Sequence, residues 1–172
     1  MTAIDRRVLH TIGHSNHPIE RFIALLKAAR IDLLVDVRSH PGSRFHPQFN
    51  RGALERSLAG AGIGYRWLGD RLGGKPKEKD LLDSHGHADY GRMAATQTFA
   101  EGIETLVALA DAYALAFMCA EEDPIRCHRT RLVTPAILAN RARVRHLRGD
   151  GRVIAHEDLL KTERKVQPDL FG

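Results

Sequence analysis

The stretch LLVDVRSH, residues 33–40, decides the fold class that we predict for this chain. Its first five residues form an almost continuous apolar run, which is typical of a strand covered by helices on both faces. A second buried strand is predicted by YALAFMC, residues 113–119. Polar side chains follow both runs directly. In an open parallel sheet the binding site lies beyond the carboxyl ends of the strands, so these side chains are candidates for a site.

Strands and helices alternate along the rest of the chain. Further strands are predicted at residues 8–13 and 65–68, with a closing hairpin at residues 144–147 and 152–156. Helices are predicted after Pro18 and Asn50, at Thr98 with Glu101 as a capping box, and from Cys127 to about Asn140 with a kink or restart at Pro135. This alternation predicts a three-layer α/β/α domain with a mainly parallel sheet and an antiparallel edge hairpin. We assign residues 1–164 to a single α/β domain and residues 165–172 to a flexible C-terminal tail.

The composition of the 172 residues excludes several classes of protein. A hydrophobic content of 43% is too high for a disordered chain. No apolar run approaches the ~18 residues that span a membrane. The N-terminal segment has no apolar core of signal-peptide length, and two cysteines make no disulfide framework. We therefore expect a cytoplasmic protein with reduced thiols and no membrane partner.

The charge balance of the chain is basic. Lys and Arg total 26 against 21 acidic residues, and 20 of the 26 are arginines. Arginine binds phosphate through two parallel hydrogen bonds, so a nucleic acid or a nucleotide is one interpretation of the partner. A genome rich in arginine codons is the other interpretation, and composition does not choose between them.

Titratable or hydrogen-bonding side chains follow every major predicted strand. The candidate catalytic residues are His14, Asp36, Glu121, Cys127 and His128. The candidate anion-binding or substrate-binding residues are Ser15, Arg38, Ser39, Ser43, Arg44, Tyr90 and Arg129. Because strand ends can be closed by Gly, Asn or Pro, this convergence of polar groups indicates a functional site.

Cys127, His128 and Arg129 form the densest local cluster. If Cys127 begins a helix, the helix dipole and neighbouring cations favour its thiolate; alternatively, it is a small buried apolar residue. Acidic residues 121–123 would repel a phosphate and raise the pKa of a thiol, so we interpret Glu121 as a general acid or base, or as a cation ligand. Cys119 is a further candidate.

Other polar residues have two interpretations. Asp36 and Arg38 share one face of a strand end, so an ion pair that orients a loop is the alternative to catalysis. His85 and His87 could ligate a metal, but no third ligand is fixed by spacing, and we interpret them as part of a solvated loop. No metal site is assigned and the cofactor is unknown. The long polar connection at residues 69–92 favours a functional loop.

The end of the chain carries a separate motif. Gln167, Leu170 and Phe171 resemble the Gln-x-x-Leu-Phe peptide by which bacterial DNA repair and replication proteins hold the sliding clamp. The alternative is that Leu170 and Phe171 pack back on the domain. The sliding clamp is therefore a candidate partner.

Four segments carry a resemblance to a known family: TIGHSN (residues 11–16), VDVRSHPGSR (35–44), GIGYRWLGDRLGG (62–74) and MCAEEDPIRCHR (118–129). In this order they resemble the signatures of the bacterial domain of unknown function 488 family, and HLRGDGRVIAH (146–156) is similar to its closing segment. The resemblance implies an α/β domain and places a functional core in the Gly-His-Ser, Asp-x-Arg-Ser and Cys-x-x-x-x-x-x-x-Cys-His-Arg segments. It implies no established activity.

A more distant likeness is to rhodanese-type domains, which also have Asp-Val-Arg after an early strand and a Cys after a later one. By position, Cys119 matches that nucleophile better than Cys127. The leading hypothesis is an enzyme that acts on nucleic acid or a nucleotide, in DNA repair or modification. The alternatives are a cysteine-dependent sulfurtransferase or redox enzyme and a non-catalytic nucleic-acid-binding adaptor.

Overall fold

A computed structural model describes residues 7–166 of the chain. Its centre is one six-stranded sheet in the order β3-β2-β4-β1-β5-β6. The strands are β1 (Val8–Gly13), β2 (Leu33–Asp36), β3 (Gly64–Trp67), β4 (Leu115–Cys119), β5 (Arg143–Leu147) and β6 (Val153–Ala155). The first five strands are parallel and β6 is antiparallel to β5. The predicted α/β fold with an antiparallel edge hairpin is confirmed.

Helices surround this sheet. Within residues 7–166 they are α1 (Ile19–Ala28), α2 (Arg51–Gly60), α3 (Gly69–Leu72), α4 (Tyr90–Ala94), α5 (Gln97–Ala112), α6 (Thr134–Ala139) and α7 (His156–Val166). Short 3-10 turns lie at Pro47–Phe49, Lys79–Leu81 and Pro124–Arg126, and a π-helical turn lies at Arg129–Val133. None of the helices described at residues 7–166 is long and apolar enough to cross a membrane.

Two hydrophobic cores lie on opposite faces of the sheet. On one face, Phe22 of α1 and Leu58 of α2 pack in a cluster with Leu34 of β2. On the other face, Leu106 of α5 packs in a cluster with Val35 of β2. Leu34 and Val35 are neighbours in sequence, and the alternation of side chains along a strand sends them to opposite faces. The apolar run at residues 33–37 is therefore buried on both sides, as its composition predicts.

The helix predicted to start at Thr98 begins earlier. Thr96 is the N-cap of α5, and its hydroxyl oxygen accepts a hydrogen bond from the Phe99 amide at 3.2 Å. The backbone of Thr96 is extended, which is the conformation a capping residue needs, whereas Thr98 already lies inside the helix. The predicted capping box of Thr98 with Glu101 is therefore wrong.

The helix predicted from Cys127 to Asn140 is divided into two parts. The π-helical turn comes first, and α6 follows with Pro135 in its first turn. A proline is tolerated there because backbone N–H groups in the first turn of a helix have no partner within that helix. Asn50 precedes α2 as predicted, but its side chain accepts from the Ser43 amide instead of capping the helix. Of the predicted tail, Gln167, Leu170 and Phe171 lie outside the described residues, and the clamp-binding peptide stays a prediction.

Candidate active site at the carboxyl edge of the sheet

A cleft of about 640 Å³ lies beyond the carboxyl ends of β1, β2 and β4. Ten of the residues predicted for the site line it: His14, Ser15, Arg38, Ser39, Ser43, Tyr90, Cys119, Glu121, Cys127 and His128. They come from the end of β4, from the loops after three different strands and from α4. The parallel arrangement of β1, β2 and β4 brings these loops to one edge of the sheet.

Three predicted site residues are not among those that line the cleft. Asp36 is fully buried beneath Arg38, and Arg129 is fully buried behind the loop that follows β4. Arg44 is exposed in the loop that follows β2. His85 and His87, interpreted as part of a solvated loop, are exposed.

The loops after β1 and β4 are hydrogen-bonded to each other beyond the end of the sheet. The amide of His14 donates to the carbonyl of Cys119 at 3.0 Å, and the amide of Ser15 donates to the carbonyl of Ala120 at 2.9 Å. A Cβ atom at Gly13 would overlap the carbonyl of Glu121. Glycine at residue 13 thus allows the close approach that brings His14 and Cys119 to one cleft.

Arg38 is held by an unusually complete set of acceptors. Its Nε and Nη2 donate to the two carboxylate oxygens of Asp36 at 2.9 and 2.7 Å, and Nη2 also donates to the carbonyl of Phe49 at 2.8 Å. The hydroxyl of Tyr65 donates to Asp36 at 2.7 Å. Burial and the adjacent Asp36 carboxylate raise the pKa of Tyr65, so it remains a donor. Asp36 therefore positions Arg38 at the cleft.

His14 is a buried neutral imidazole at the edge of the cleft. Its Nδ1 donates to the carbonyl of Ser15 at 2.8 Å, which leaves Nε2 to accept from Nη1 of Arg38 at 3.3 Å. Its ring stacks on Phe49 with centroids 4.4 Å apart. Burial, aided by the charge of Arg38, lowers the pKa of His14 to about 4. At neutral pH it can accept a proton or a hydrogen bond, but it carries no charge.

Cys119 and Cys127 meet at the cleft and are paired as a disulfide, with their Cα atoms 7.5 Å apart. The sequence predicts reduced thiols, so the structure differs from that expectation. Both residues are only 1% exposed. An Oε2 atom of Glu121 lies 3.4 Å from Sγ of Cys119, and Nδ1 of His128 lies 3.9 Å from Sγ of Cys127. The two sulfur atoms, the Glu121 carboxylate and the His128 imidazole are therefore neighbours in the cleft.

Arg129 stabilises the loop after β4 from behind. Its Nη2 donates to the carbonyls of Glu121 and Glu122 at 2.7 and 2.9 Å, and its Nη1 donates to the hydroxyl of Thr11 at 3.1 Å. Burial lowers the pKa of Arg129 to about 10, which still leaves it charged at neutral pH. Because Arg129 is fully buried and does not line the cleft, it fixes the loop and does not face a bound anion.

Glu122 joins this loop to the turn between β5 and β6. Its carboxylate accepts Nε and Nη2 of Arg148, both at 2.9 Å, and the amide of Gly149 at 3.0 Å. The hydrogen bonds from Arg148, followed by that from Gly149, lower the pKa of Glu122 to about 2. The acidic stretch 121–123 therefore presents less negative charge to the cleft than its sequence suggests.

We expect Glu122→Gln to destabilise the protein by about 1–2 kcal/mol at pH 7, after allowance for solvent around a side chain that is one third exposed. The folded pKa is depressed, so the stabilisation is present above the ordinary pKa and is lost as pH falls toward 2. Urea denaturation at pH 7 and pH 3 should show the difference from wild type shrinking at the lower pH. Glu104→Gln, on the exposed side of α5, is the control, and an equal cost for both variants would contradict the prediction.

Sequence reasoning missed several residues that line the cleft. Lys75 and Arg126 bring exposed cations to it, and neither has an ion-pair partner among residues 7–166. His40 and His46, whose roles the sequence leaves ambiguous, also line it. The available signal for Lys75 was its position in the polar connection at residues 69–92. No sequence pattern pointed to Arg126, since a cation in a polar loop is usually only solvated.

The fold and the cleft define an α/β protein with a polar site at the carboxyl edge of a mainly parallel sheet. The chain belongs to the family described as Domain of unknown function DUF488, whose model matches residues 18–134. TIGHSN and the closing hairpin lie outside the matched range. No curated protein and no solved structure matches the chain, so the likeness to rhodanese-type domains has no support from these comparisons.

Proposed function

We propose that this protein is an enzyme that acts on a phosphate-bearing substrate, a nucleotide or a nucleic acid, in the cleft at the carboxyl edge of the sheet. The single observation that carries the proposal is the composition of this cleft. Groups that can move protons line it together with cations that bind phosphate. A protein that only bound nucleic acid would need the cations but not the His14 imidazole and the Glu121 carboxylate beside them.

The cations have distinct tasks in this proposal. Arg38 is fixed by Asp36 and presents a preorganised guanidinium, whereas Lys75 and Arg126 are exposed and free to approach a phosphate. Tyr90 lines the same cleft and offers a ring on which a base could stack. Glu121, exposed and beside Cys119, is the candidate acid or base. His14, whose Nε2 carries a lone pair, is the candidate proton acceptor.

The binding test uses a fluorescent single-stranded oligonucleotide and measures anisotropy over a range of salt concentrations. We expect Lys75→Ala and Arg126→Ala each to weaken binding about tenfold and to reduce the salt slope by about one, as expected for loss of one phosphate contact. Lys27→Ala, an equal change of charge in the last turn of α1, is the control. Equal losses in all three variants would show nonspecific attraction and would contradict binding in the cleft.

A second assay separates an enzyme from an adaptor. The oligonucleotide is incubated with wild-type protein or with Glu121→Gln and then examined by mass spectrometry. An enzyme should change the mass or length of the oligonucleotide, and Glu121→Gln should bind it but leave it unchanged. Binding without any change of the oligonucleotide by the wild type would favour the adaptor.

A cysteine-dependent redox or sulfur-transfer enzyme is the second candidate, because Cys119 and Cys127 are paired in the cleft. A nucleophilic thiol must be accessible as well as ionised, and both cysteines are 1% exposed. The geometry therefore supports this candidate less well than the first.

A further inference from the structure

Three donor atoms of the kind that bind soft divalent metals converge at the floor of the cleft. They are Sγ of Cys119, Sγ of Cys127 and a ring nitrogen of His128, and these atoms lie within 4.8 Å of one another. The ring nitrogen that faces the sulfur atoms is Nδ1, which lies 3.9 Å from Sγ of Cys127. Thiolate and imidazole are the ligands that zinc prefers in proteins. We propose that, in the reduced chain, Cys119, Cys127 and His128 bind one zinc ion.

The imidazole of His128 is oriented as a metal ligand. Its Nε2 lies 3.0 Å from the carbonyl oxygen of Val37. A carbonyl can only accept, so Nε2 carries the proton and Nδ1 presents its lone pair toward Cys127. A metal-bound histidine usually donates its other ring N–H to such a carbonyl, which fixes both tautomer and ring orientation. A Cβ atom at Gly74 would lie 2.7 Å from Cγ of His128, so the chain also packs closely on this ring.

The backbone separation of the two cysteines suits a shared ion better than a direct bond. Disulfides usually join residues whose Cα atoms are roughly 4.4–6.8 Å apart, and here the Cα atoms are 7.5 Å apart. Cys119 is held in β4, in register with Gly13 of β1. The carbonyl of Cys127 accepts from the amides of Thr130 and Arg131, both at 3.1 Å. With both backbones held by hydrogen bonds, an ion bonded to each sulfur at about 2.3 Å spans the gap.

The carboxylate beside these sulfur atoms is a further reason to place a cation here. Oε2 of Glu121 is 3.4 Å from Sγ of Cys119. A disulfide sulfur has no proton to donate to a carboxylate, whereas a metal ion attracts thiolate and carboxylate together. Glu121 is exposed to the cleft, so it can complete a four-ligand set or hold a water on the ion.

Binding requires the thiols in reduced form. A disulfide must first take up two electrons and two protons from a reductant such as a trialkylphosphine, and zinc then displaces the two thiol protons to solvent. The proposal does not depend on the identity of the substrate, because zinc can be measured whether or not the cleft binds a nucleotide.

The test uses the full chain, purified with a phosphine reductant from cells grown with added zinc. Inductively coupled plasma mass spectrometry should find one zinc ion per chain in the wild type. Apoprotein prepared with a chelator should then be titrated with zinc against a chromophoric competitor. Cys119→Ser, Cys127→Ser and His128→Gln should each weaken zinc affinity by at least the roughly 10–100-fold that loss of a supporting partner costs. His85→Gln, in an exposed loop, is the control and should keep wild-type affinity.

Cobalt provides a second measurement that does not depend on the folding of the variants. Reduced wild-type apoprotein titrated with Co²⁺ should develop thiolate-to-cobalt charge-transfer absorption, and zinc should displace it. Absence of this absorption together with absence of stoichiometric zinc would overturn the proposal. Zinc that remains bound with unchanged affinity in His128→Gln and in both cysteine variants would also overturn it. If wild-type protein binds zinc but does not bind the oligonucleotide, only the proposed function is overturned.

Discussion

Asp36→Asn should destabilise the protein by about 3–5 kcal/mol, the usual cost of removing one partner from a buried ion pair. The carboxylate is fully buried and accepts hydrogen bonds from the Arg38 side chain, the Arg38 amide and the Tyr65 hydroxyl. An amide has the same shape but carries no charge, and its NH₂ group meets donors. Arg38, which is 6% exposed, would be left buried without a counter-charge.

Asp111→Asn is the matched control for this experiment. Asp111 also accepts two hydrogen bonds from one arginine, Arg7, at 2.6 and 3.0 Å. Both side chains of that pair are more than one third exposed, so its loss should cost about 0–1 kcal/mol. Urea denaturation of both variants at pH 7 gives the comparison. If the two substitutions lower the free energy of unfolding by the same amount, the burial of Asp36 does not explain its contribution to stability.

Acid should destabilise this protein from about pH 6.5 downward, and His146 should account for much of the effect. The side chain of His146 is fully buried, and burial lowers its pKa to about 3, with the charge of Arg129 acting in the same direction. The folded state therefore keeps His146 neutral while the unfolded chain binds a proton below pH 6.5. Stability is complete above pH 6.5 and is lost as pH falls, by about 2 kcal/mol at pH 5.

A chain of hydrogen bonds explains why His146 resists protonation. Nη1 of Arg129 donates to the Thr11 hydroxyl oxygen, which leaves the hydroxyl proton free to be donated to Nδ1 of His146 at 2.8 Å. The proton of His146 is then on Nε2, which donates to Nδ1 of His156 at 3.1 Å. A second proton on His146 would meet the Thr11 donor at Nδ1. Every bond in this chain points the same way, from Arg129 to His156.

His146→Gln tests this prediction because glutamine keeps a donor and an acceptor but does not titrate. Thermal melting from pH 7.5 to pH 5 should show a steep loss of stability in the wild type and a shallower loss in the variant. His85→Gln should follow the wild-type curve, since that side chain is exposed. If the stability of His146→Gln falls with pH as steeply as that of the wild type, groups other than His146 cause the acid sensitivity.

The sequence was most informative where local chemistry alone determines structure. The apolar runs at residues 33–37 and 113–119 could be assigned to buried strands because both are short, as strands are, and are followed directly by polar residues. The order of the strands could not be predicted, since hydrophobic periodicity carries no information on pairing. The start of α5 could not be fixed either, because Thr96 and Thr98 are equally good caps until the backbone conformation of each is known.

The candidate site could also be predicted only in part from the sequence. The convergence of His14, Glu121 and His128 followed from the rule that parallel strands end at one edge. The burial of Arg129 did not, because arginine is usually exposed and its acceptors, the carbonyls of Glu121 and Glu122, are assembled only by the fold. The meeting of Cys119 and Cys127 likewise depends on the path of the loop between them.

The two edges of the sheet have a consequence for the behaviour of this protein in concentrated solution. One edge is β3, a four-residue strand with an exposed Arg66, and the other is β6, a three-residue strand. Short edge strands are poor templates for a strand from another molecule, and the exposed charge of Arg66 makes β3 a poorer one. The central strands, whose apolar runs favour aggregation when they are exposed, thus lie between two short edge strands, and we expect neither edge to pair readily with another chain.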